Sequence, residues 1–495
     1  VFVKNARLLY LPLLKIAVVA SVCLASLCVQ AEDKRPNIVV ILADDLGYND
    51  VGFTGETEIQ TPSLDQLAEE GVVFENGFVT HPYCGPSRAG LLTGRYQQRF
   101  GMENNISYTP YDPHMGLPLT EKTFARRLQE LGYHTSVFGK WHLGGAPHFQ
   151  PNQRGFDYFY GFLDGGHNYF PHETTVGGDG YLLPIMRNSQ VAEFDEYLTT
   201  ALSRDAAKYI DRRSKEDSPF FIYMSYNAPH APLQAPQSYI DKYKHIKDEN
   251  RRIYAAMVEA MDDGIQMLVS ALKKNKELDN TLIFFLSDNG GVYPYSWWPN
   301  YTWADNSPYR FGKVAMTEGG VHVPFIAHWP KKIKKGTRFD GLVSSLDIAA
   351  TSLALAGADV SGDKTAKLDG VDLTPYMTGK KTGSPHKALF WRMEEAENLW
   401  AVRTMDAKYI SQPLPDVGRA YYDLTNDPYE KNNLLGKYPE QQAKLAAMWN
   451  EWNKGNIRNI QLQNMAYLER RKEFFDELYS ESLKASQAKA PMVIE

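Results

Sequence analysis

The stretch "NIVVILADD", residues 37 to 45, runs five apolar side chains, Ile38 to Leu42, into Ala43 and then into two adjacent carboxylates. An apolar run without alternation reads as a strand covered on both faces, as in a parallel sheet packed between helices. Asp44 and Asp45 then stand at the carboxyl end of that strand, where adjacent acids repel each other unless a cation or several donors neutralise them. Three other stretches have the same form. "YHTSVF" (133 to 138) runs into "GKWHLG", "PFFIYMSY" (219 to 226) into Asn227, Ala228, Pro229 and His230, and "TLIFFL" (281 to 286) into Ser287, Asp288, Asn289, Gly290 and Gly291. Ligands of open α/β sheets lie beyond the carboxyl ends of the strands, so four polar clusters at four such ends predict one shared site.

Between these strands the spacing is helical. "EKTFARRLQELG" (121 to 132) sets Phe124, Leu128 and Leu131 on one face and stops at Gly132. From Arg251 onward, Tyr254, Val258, Met261, Ile265, Leu268 and Leu272 keep a 3.6-residue period, which reads as core packing. After about residue 380 the texture changes: "KALFWRM", "LWAVRTMDAKYIS" and "RAYYDLTNDP" read as short strands, and a last helix follows from about Pro439. The expected fold is therefore α/β, a large and mostly parallel central sheet flanked by helices, with a smaller C-terminal α+β domain. The expected division is a catalytic domain over 32–380 and a C-terminal subdomain over 381–495, linked near "TGKKTGSPH" (378 to 386).

The chain has 495 residues, 43% of them hydrophobic, and a net charge of −6, a globular composition with room for a large core. Basic runs such as Lys331 to Lys335 are short and read as solvated loop, so no nucleic-acid footprint is expected. The first 31 residues differ: Lys4, Arg7 and Lys15 precede an uncharged run from Ile16 to Val29, and Val29 and Ala31 suit signal cleavage. Bulky Val22 and Leu27 argue against lipoprotein processing at Cys23 or Cys28. The expectation is a signal peptide over 1–31 and an exported protein, periplasmic or secreted, not held in a membrane after cleavage.

Asp44, Asp45, Asp288 and Asn289 offer hard oxygen ligands, suited to Ca²⁺ or Mg²⁺ rather than Zn²⁺. Either motif alone is better explained by turn formation or helix capping; together they make one divalent ion the economical explanation. Lys140 and His142 alternate about Trp141, and project to one side if that segment is extended. His230 sits in the Pro-bounded "NAPHAPL", and Lys313 in "GKVAMTEGGVHVP", where Gly319 and Gly320 imply a tight turn. Cationic and proton-carrying groups gathered near a metal suit the cleavage of an oxyanion ester, sulfate or phosphate.

"HPYCGPSRAGLLTGRY" (81 to 96) holds the one cysteine that signal cleavage would leave. A lone thiol in an oxidising compartment is a buried inert residue, a reactive one, or one that is paired between molecules or chemically altered. Pro86 suits a first helical turn, and Leu91 and Leu92 suit the core. Cys84 is then expected just before the helix, beside free N–H groups, with Arg88 one turn on, an environment for an oxyanion-bearing group.

Cys84-Gly85-Pro86-Ser87-Arg88, continuing to "LLTGRY", resembles the type I sulfatase signature. The resemblance runs from "RPNIVVILADDLGY" at 35 through "TPSLDQLAEEGVVFENGF", "GKWHLG", "RGFDYFYGF", "NAPHAPL", "SDNGG", "EGGVHVP", "SSLDIAATSLALAG" and "LDGVDL" to "YYDLTNDPYEKNNL". It implies an alkaline-phosphatase-like fold and a Cα-formylglycine made from Cys84 by a formylglycine-generating maturation enzyme. It implies a single Ca²⁺ held by Asp44, Asp45, Asp288 and Asn289 and approached by residue 84. It also implies that Arg88 and Lys140 hold the hydrated formylglycine, that His142 is the base that helps expel sulfate, and that His230 and Lys313 act on the ester sulfate and leaving oxygen. His167, in "FLDGGHNYF", matches more loosely a sulfate- or substrate-contacting position. His322 stands where the family commonly has Arg, so a titratable group replaces a fixed charge behind the Lys313 loop. The implied chemistry is attack on sulfur by one hydroxyl of the hydrated aldehyde, protonation of the leaving oxygen by His230 or Lys313, and release of sulfate through the second hydroxyl.

Three other readings compete. A phosphatase or phosphodiesterase of the same superfamily is expected to use Ser or Thr and a His-rich two-metal site. A cysteine hydrolase has no use for the Asp pairs. A glycan-binding module is expected to have lost some of these polar residues. For the substrate, "VYPYSWWPNYTWADNSPYRF" (292 to 311) starts and ends at candidate catalytic groups and carries Tyr293, Trp297, Trp298 and Trp303. It reads as a packed lid or as a sugar-binding rim, since flat rings with polar edges suit sugars. Tyr108, Tyr111, His114 and His322 are placed with that rim. The expected substrate is a sulfated polysaccharide or its oligosaccharides, first a sulfated galactan such as carrageenan, with fucan, ulvan and glycosaminoglycan open.

Overall fold

Ten strands in the computed structural model build one sheet: β1 (Asn37–Ala43), β2 (Val72–Phe78), β3 (His134–Lys140), β4 (Tyr158–Phe162), β5 (Met186–Arg187), β6 (Gln190–Val191), β7 (Phe220–Ser225), β8 (Thr281–Ser287), β9 (Phe325–His328) and β10 (Thr337–Ser344). Their order is β10-β2-β9-β8-β1-β7-β3-β4-β5-β6. The described residues are 34–55, 58–106, 112–171, 183–360, 367–393, 399–413, 417–461, 480, 481, 483 and 484. The expected signal peptide and the rim residues Tyr108 and Tyr111 lie outside them.

β8, β1, β7, β3 and β4 run parallel side by side. β2 and β10 are parallel to each other and join this block through β9, which is antiparallel to both its neighbours. Both faces of the central strands are apolar. Ile38, Val40, Leu42, Phe221, Tyr223, Leu282 and Phe284 share one core with helices α2 (Cys84–Thr93), α3 (Phe124–Glu130) and α7 (Asp347–Leu355), the single turn α6 (Glu318–Val321) lying between β8 and β9 in the chain. Val39, Ile41, Ile222, Met224, Ile283 and Phe285 share the other with α1 (Pro62–Glu69), α4 (Leu198–Arg213) and α5 (Glu249–Lys274). With both faces apolar, pattern alone does not fix the register of β1, and its polar ends do. Asn37 accepts Phe220 N at 3.0 Å and donates to Glu277 at 2.8 Å, and a slip would draw Asp44 between strands. The register sets Ala43 beside Ser287, Leu42 beside Ser225 and Gly139 beside Ser225, so four strands end at one level.

A second, antiparallel sheet contains β11 (Leu389–Arg392), β12 (Trp400–Arg403), β13 (Ala407–Gln412) and β14 (Gly418–Asp423), in sequence order. Trp400, Val402 and Tyr409 on one face pack under α8 (Pro439–Asn453) with Leu445, Trp449 and Trp452. Trp391, Ala401, Ile410 and Ala420 on the other face join the core of the large sheet, and Trp391 Nε1 donates to Val79 O at 2.9 Å. The small sheet therefore shares a core with the large one. Among the described residues no helix is long and apolar enough to cross a membrane.

Candidate active site

The polar clusters meet where the four strands end. β1 delivers Asp44 and Asp45, β8 delivers Asp288 and Asn289, β3 ends on Lys140, and His230 follows β7. α2 follows β2 in the chain, and Cys84 is its first residue, with Tyr83 as its N-cap. The helix thus begins at the cysteine rather than after it, because Gly85 N is already capped by Asn105 Oδ1 at 2.9 Å. Every residue of α2 is buried, Arg88 included. A buried guanidinium needs acceptors on all sides. Arg88 has Asp288 Oδ2 at 2.9 Å from Nε and 2.8 Å from Nη2, Lys140 O at 3.4 Å, Ser225 Oγ, and Asp44 Oδ1 at 3.6 Å.

Lys140 Nζ lies 2.6 Å from Asp44 Oδ2. Lys313 Nζ donates to Asp45 Oδ2 at 2.8 Å and to Cys84 Sγ at 3.4 Å. His230 Nε2 lies 3.6 Å from the same Asp45 oxygen, while its Nδ1 donates to Ala231 O at 2.6 Å. Asn289 Nδ2 donates to Asp45 Oδ1 at 2.8 Å. Asp44, Asp45, Cys84 and His230 each bring a ligand atom within 4.8 Å of the others. Three buried acids thus face three buried bases, Arg88, Lys140 and Lys313.

Burial pushes the Asp45 carboxyl up, but Lys313, His230 and Lys140 more than offset it and hold it below the usual carboxylate range. Asp288 goes the other way: burial, then the neighbouring Asp44, raise it to about 6 against Arg88. Burial opposes the charge of Lys313, and Asp45 and Cys84 outweigh it, so its ammonium is held well above the ordinary value. Burial pushes the Cys84 thiol up to about 12. Burial, then Lys140 and Arg88, keep His142 well below the usual imidazole range, and burial takes His230 down to about 3. Both imidazoles are neutral beside the cations.

His142 departs from the expected geometry. β3 stops at Lys140, and His142 has φ +55°, so the two side chains do not alternate along an extended strand. In that turn Trp141 N and His142 N donate to the consecutive carbonyls Phe162 O and Leu163 O, at and just beyond the end of β4. His142 stays in the buried cluster, and neither of its ring nitrogens has a hydrogen-bond partner. His167 is half-buried, with Nδ1 on Asn168 O at 2.7 Å and its own carbonyl near Asn227 at the end of β7.

The segment 292–311 divides. Trp297 is 43% exposed and stacks on Tyr295 at 4.8 Å and 3°. Tyr295 stacks in turn on Phe311 at 5.9 Å and 7°, and Tyr293 packs edge-on against Phe311. A column of rings therefore leads from solvent to within two residues of Lys313. Trp298 is half-buried against Tyr301. Trp303 and His322 do not belong to a substrate rim. Trp303 is 8% exposed, packs on Tyr301 and belongs to the second core of the large sheet, with its carbonyl accepting from Arg251. His322 is 1% exposed, its Nδ1 facing Glu318 at 3.2 Å and its Nε2 facing Glu75 O at 2.9 Å, with Tyr309 stacked upon it. No atom of its ring is left for a ligand. His114 lines a separate cavity of about 460 Å³ with Arg99, Phe149 and Ile460.

The donor set fits a hard divalent cation. Three carboxylates and an amide converge, and two buried oxygens, Asp44 Oδ1 and Asn289 Oδ1, accept no hydrogen bond. Sequence reasoning missed Asn105, which caps the turn at Cys84, and Ser225, which holds Arg88 and donates to Lys140 O at 2.7 Å. Ser225 had a signal, a hydroxyl closing an apolar strand; Asn105 had none. Four of the seven non-glycine residues with left-handed backbone among the described residues, Asp45, His142, Phe311 and Val314, lie in or beside the cluster. Backbone strain of this kind concentrates at functional sites.

Residues 36–358 match the family model described as Sulfatase, and residues 309–456 match N-sulphoglucosamine sulphohydrolase, C-terminal. The chain is 32% identical to the uncharacterized sulfatase YdeN of Escherichia coli (strain K12), over 83% of this chain and 82% of that protein. It is 32% identical to the N-acetylgalactosamine-6-sulfatase of Homo sapiens over 72% of each. The crystal structure of Ps i-CgsB in complex with k-i-k-neocarrahexaose superposes with a TM-score of 0.80 at 36% identity, covering 90% of this chain and 99% of that one.

Proposed function

The chain belongs to the sulfatase family, which makes it a sulfuric ester hydrolase of alkaline-phosphatase-like fold, and from that premise we propose that it is an exported enzyme that desulfates a sulfated polysaccharide or its oligosaccharides, with formylglycine at position 84 and one Ca²⁺. The observation that carries this reading is the juxtaposition of Lys313 Nζ with both Cys84 Sγ and Asp45, inside a cluster whose acids and bases balance. Asp44, Asp45, Asp288 and Asn289 would hold Ca²⁺, and the bound ion supplies positive charge for an anionic ester and for the oxygen that attacks it. A formylglycine at position 84 would, once hydrated, supply two hydroxyls where a serine has one, one to attack sulfur and one through which sulfate could be expelled.

The remaining roles fall to this chain's own groups. Arg88 and Lys140, fixed by Asp288 and Asp44, orient residue 84 and lower the cost of negative charge there. His142, neutral and with both nitrogens unpartnered, takes the proton when sulfate leaves. The proton needed by the leaving oxygen comes from Lys313, whose Nζ is held protonated by Asp45; His230, neutral with its hydrogen on Nδ1, presents an Nε2 that can only accept. With the acids and bases matched, a divalent ion leaves the site net positive, complementary to a sulfate ester. Export rests on the sequence of residues 1–31. A carrageenan-type galactan is the first substrate, because the solved neighbour was crystallised with a neocarrahexaose. The N-acetylgalactosamine-6-sulfatase relative supports glycosaminoglycan as the second reading.

The test is sulfate release from defined carrageenan and glycosaminoglycan oligosaccharides beside a small aryl sulfate and the matching aryl phosphate. The proposal expects turnover of a sulfated oligosaccharide far above that of the phosphate. Desulfation of the aryl sulfate alone would overturn the polysaccharide assignment.

A further inference from the structure

Lys313 sits in a segment that the rest of the molecule holds at three points. Lys313 N donates to Gly291 O at 2.8 Å, tying it to the loop after Asn289, and Val314 N donates to Pro82 O at 3.1 Å, tying it to the approach to Cys84. Gly312 fits only because it has no side chain: a Cβ there would lie 2.2 Å from Gly291 O. The third point comes from the small sheet. Gln412, the last residue of β13 and 1% exposed, donates from Nε2 to Val314 O at 2.7 Å and accepts Met316 N on Oε1 at 2.8 Å. One carboxamide therefore clamps both sides of Ala315.

The clamp matters because of what it holds. Val314 has φ +86°, a conformation that a β-branched residue adopts only when its surroundings impose it. Relaxing that torsion rotates the peptide that joins Val314 to Lys313, and a long side chain amplifies such a rotation at Nζ. We propose that Gln412 is a positioning residue: it holds Val314 in the left-handed conformation and so aims Lys313 Nζ at residue 84 and Asp45. The inference rests on the reading of Lys313 as a group that acts on the ester. It gives the small sheet a part in the reaction without contact with substrate.

The test is a double-mutant cycle on matured, Ca²⁺-loaded enzyme with Gln412→Met, Gln412→Glu and Lys313→Ala, reading kcat/KM on an aryl sulfate together with the thermal midpoint. Gln412→Met fills the same space against Met393 without either hydrogen bond. Gln412→Glu keeps the acceptor for Met316 N but cannot donate to Val314 O. Each is expected to lower kcat/KM roughly 10- to 100-fold beside intact Lys313, the scale of a 1 Å misplacement. In the Lys313→Ala background the same changes are expected to cost less than about twofold, because residues that act as a unit are not additive. Equal losses in both backgrounds, or none in either, would overturn the inference alone. Full activity of Lys313→Ala would overturn the reading of Lys313 and the inference with it.

Discussion

Arg88 is buried to the last atom, and its neighbours are the reason it can be. Removing it leaves Asp288 without its buried partner, beside an Asp44 that keeps Lys140, so Arg88→Ala should cost about 3–5 kcal/mol of stability as well as turnover. Cys84→Ala removes no charge and no core volume of consequence, and should abolish turnover while leaving the thermal midpoint within a degree or two of wild type, on the scale of a sub-kcal/mol change. Chemical denaturation of both variants checks the contrast, and equal destabilisation would contradict it. The two tryptophans divide in the same way. Trp303→Ala should destabilise by about 3–5 kcal/mol, the cost of emptying a core aromatic site. Trp297→Ala should leave stability unchanged and reduce turnover of oligosaccharide but not of a small aryl sulfate. Asp44, Asp45, Asp288 and Asn289 were legible because polar residues directly after buried strands have few explanations. Trp303 and His322 were misread because sequence gives proximity along a loop but not which side of the loop faces the pocket. Gln412, more than ninety positions from Lys313 in the chain, meets its segment only through the packing of two sheets.

At the scale of elements, the four apolar runs became β1, β3, β7 and β8 with their ends in register, and helix α5 followed the 3.6-residue pattern. The strands that the apolar-run criterion did not pick out, β9 among them, are short or interrupted, and β9 is antiparallel, so no local pattern announces its place. A contact between the expected linker and α7 carries a pH prediction. His386 Nε2 lies 2.8 Å from Asp347 Oδ1 at the start of α7. Burial alone pushes this imidazole down, but Asp347 outweighs it and the value is raised. The contact therefore stabilises fully below the unfolded imidazole value, about 6.5, and the contribution is lost as pH rises through the raised folded value. The stability difference between wild type and His386→Gln should be larger at about pH 5.5 than at about pH 9. A difference that grows with pH would contradict the pairing.

Across the whole molecule, the site is assembled from distant parts of the chain: β1, α2, the ends of β3, β7 and β8, and a loop braced by the small sheet. Ca²⁺ that binds only this assembled state should stabilise all of it, by about 2.7 kcal/mol at a hundredfold excess over its dissociation constant. Chelation should lower the thermal midpoint and abolish activity, and added Ca²⁺ should restore both; a midpoint indifferent to chelator would remove the ion from the account. A formylglycine at position 84 is what should make this fold a working sulfatase. The most direct test takes one preparation from a host with the maturation enzyme and one from a host without it, and measures in each the mass of the peptide spanning residue 84 and the sulfate released per molecule of enzyme. Activity should rise in proportion to the fraction of that peptide in which an aldehyde has replaced the thiol. Full activity in material whose Cys84 is entirely unmodified would contradict it.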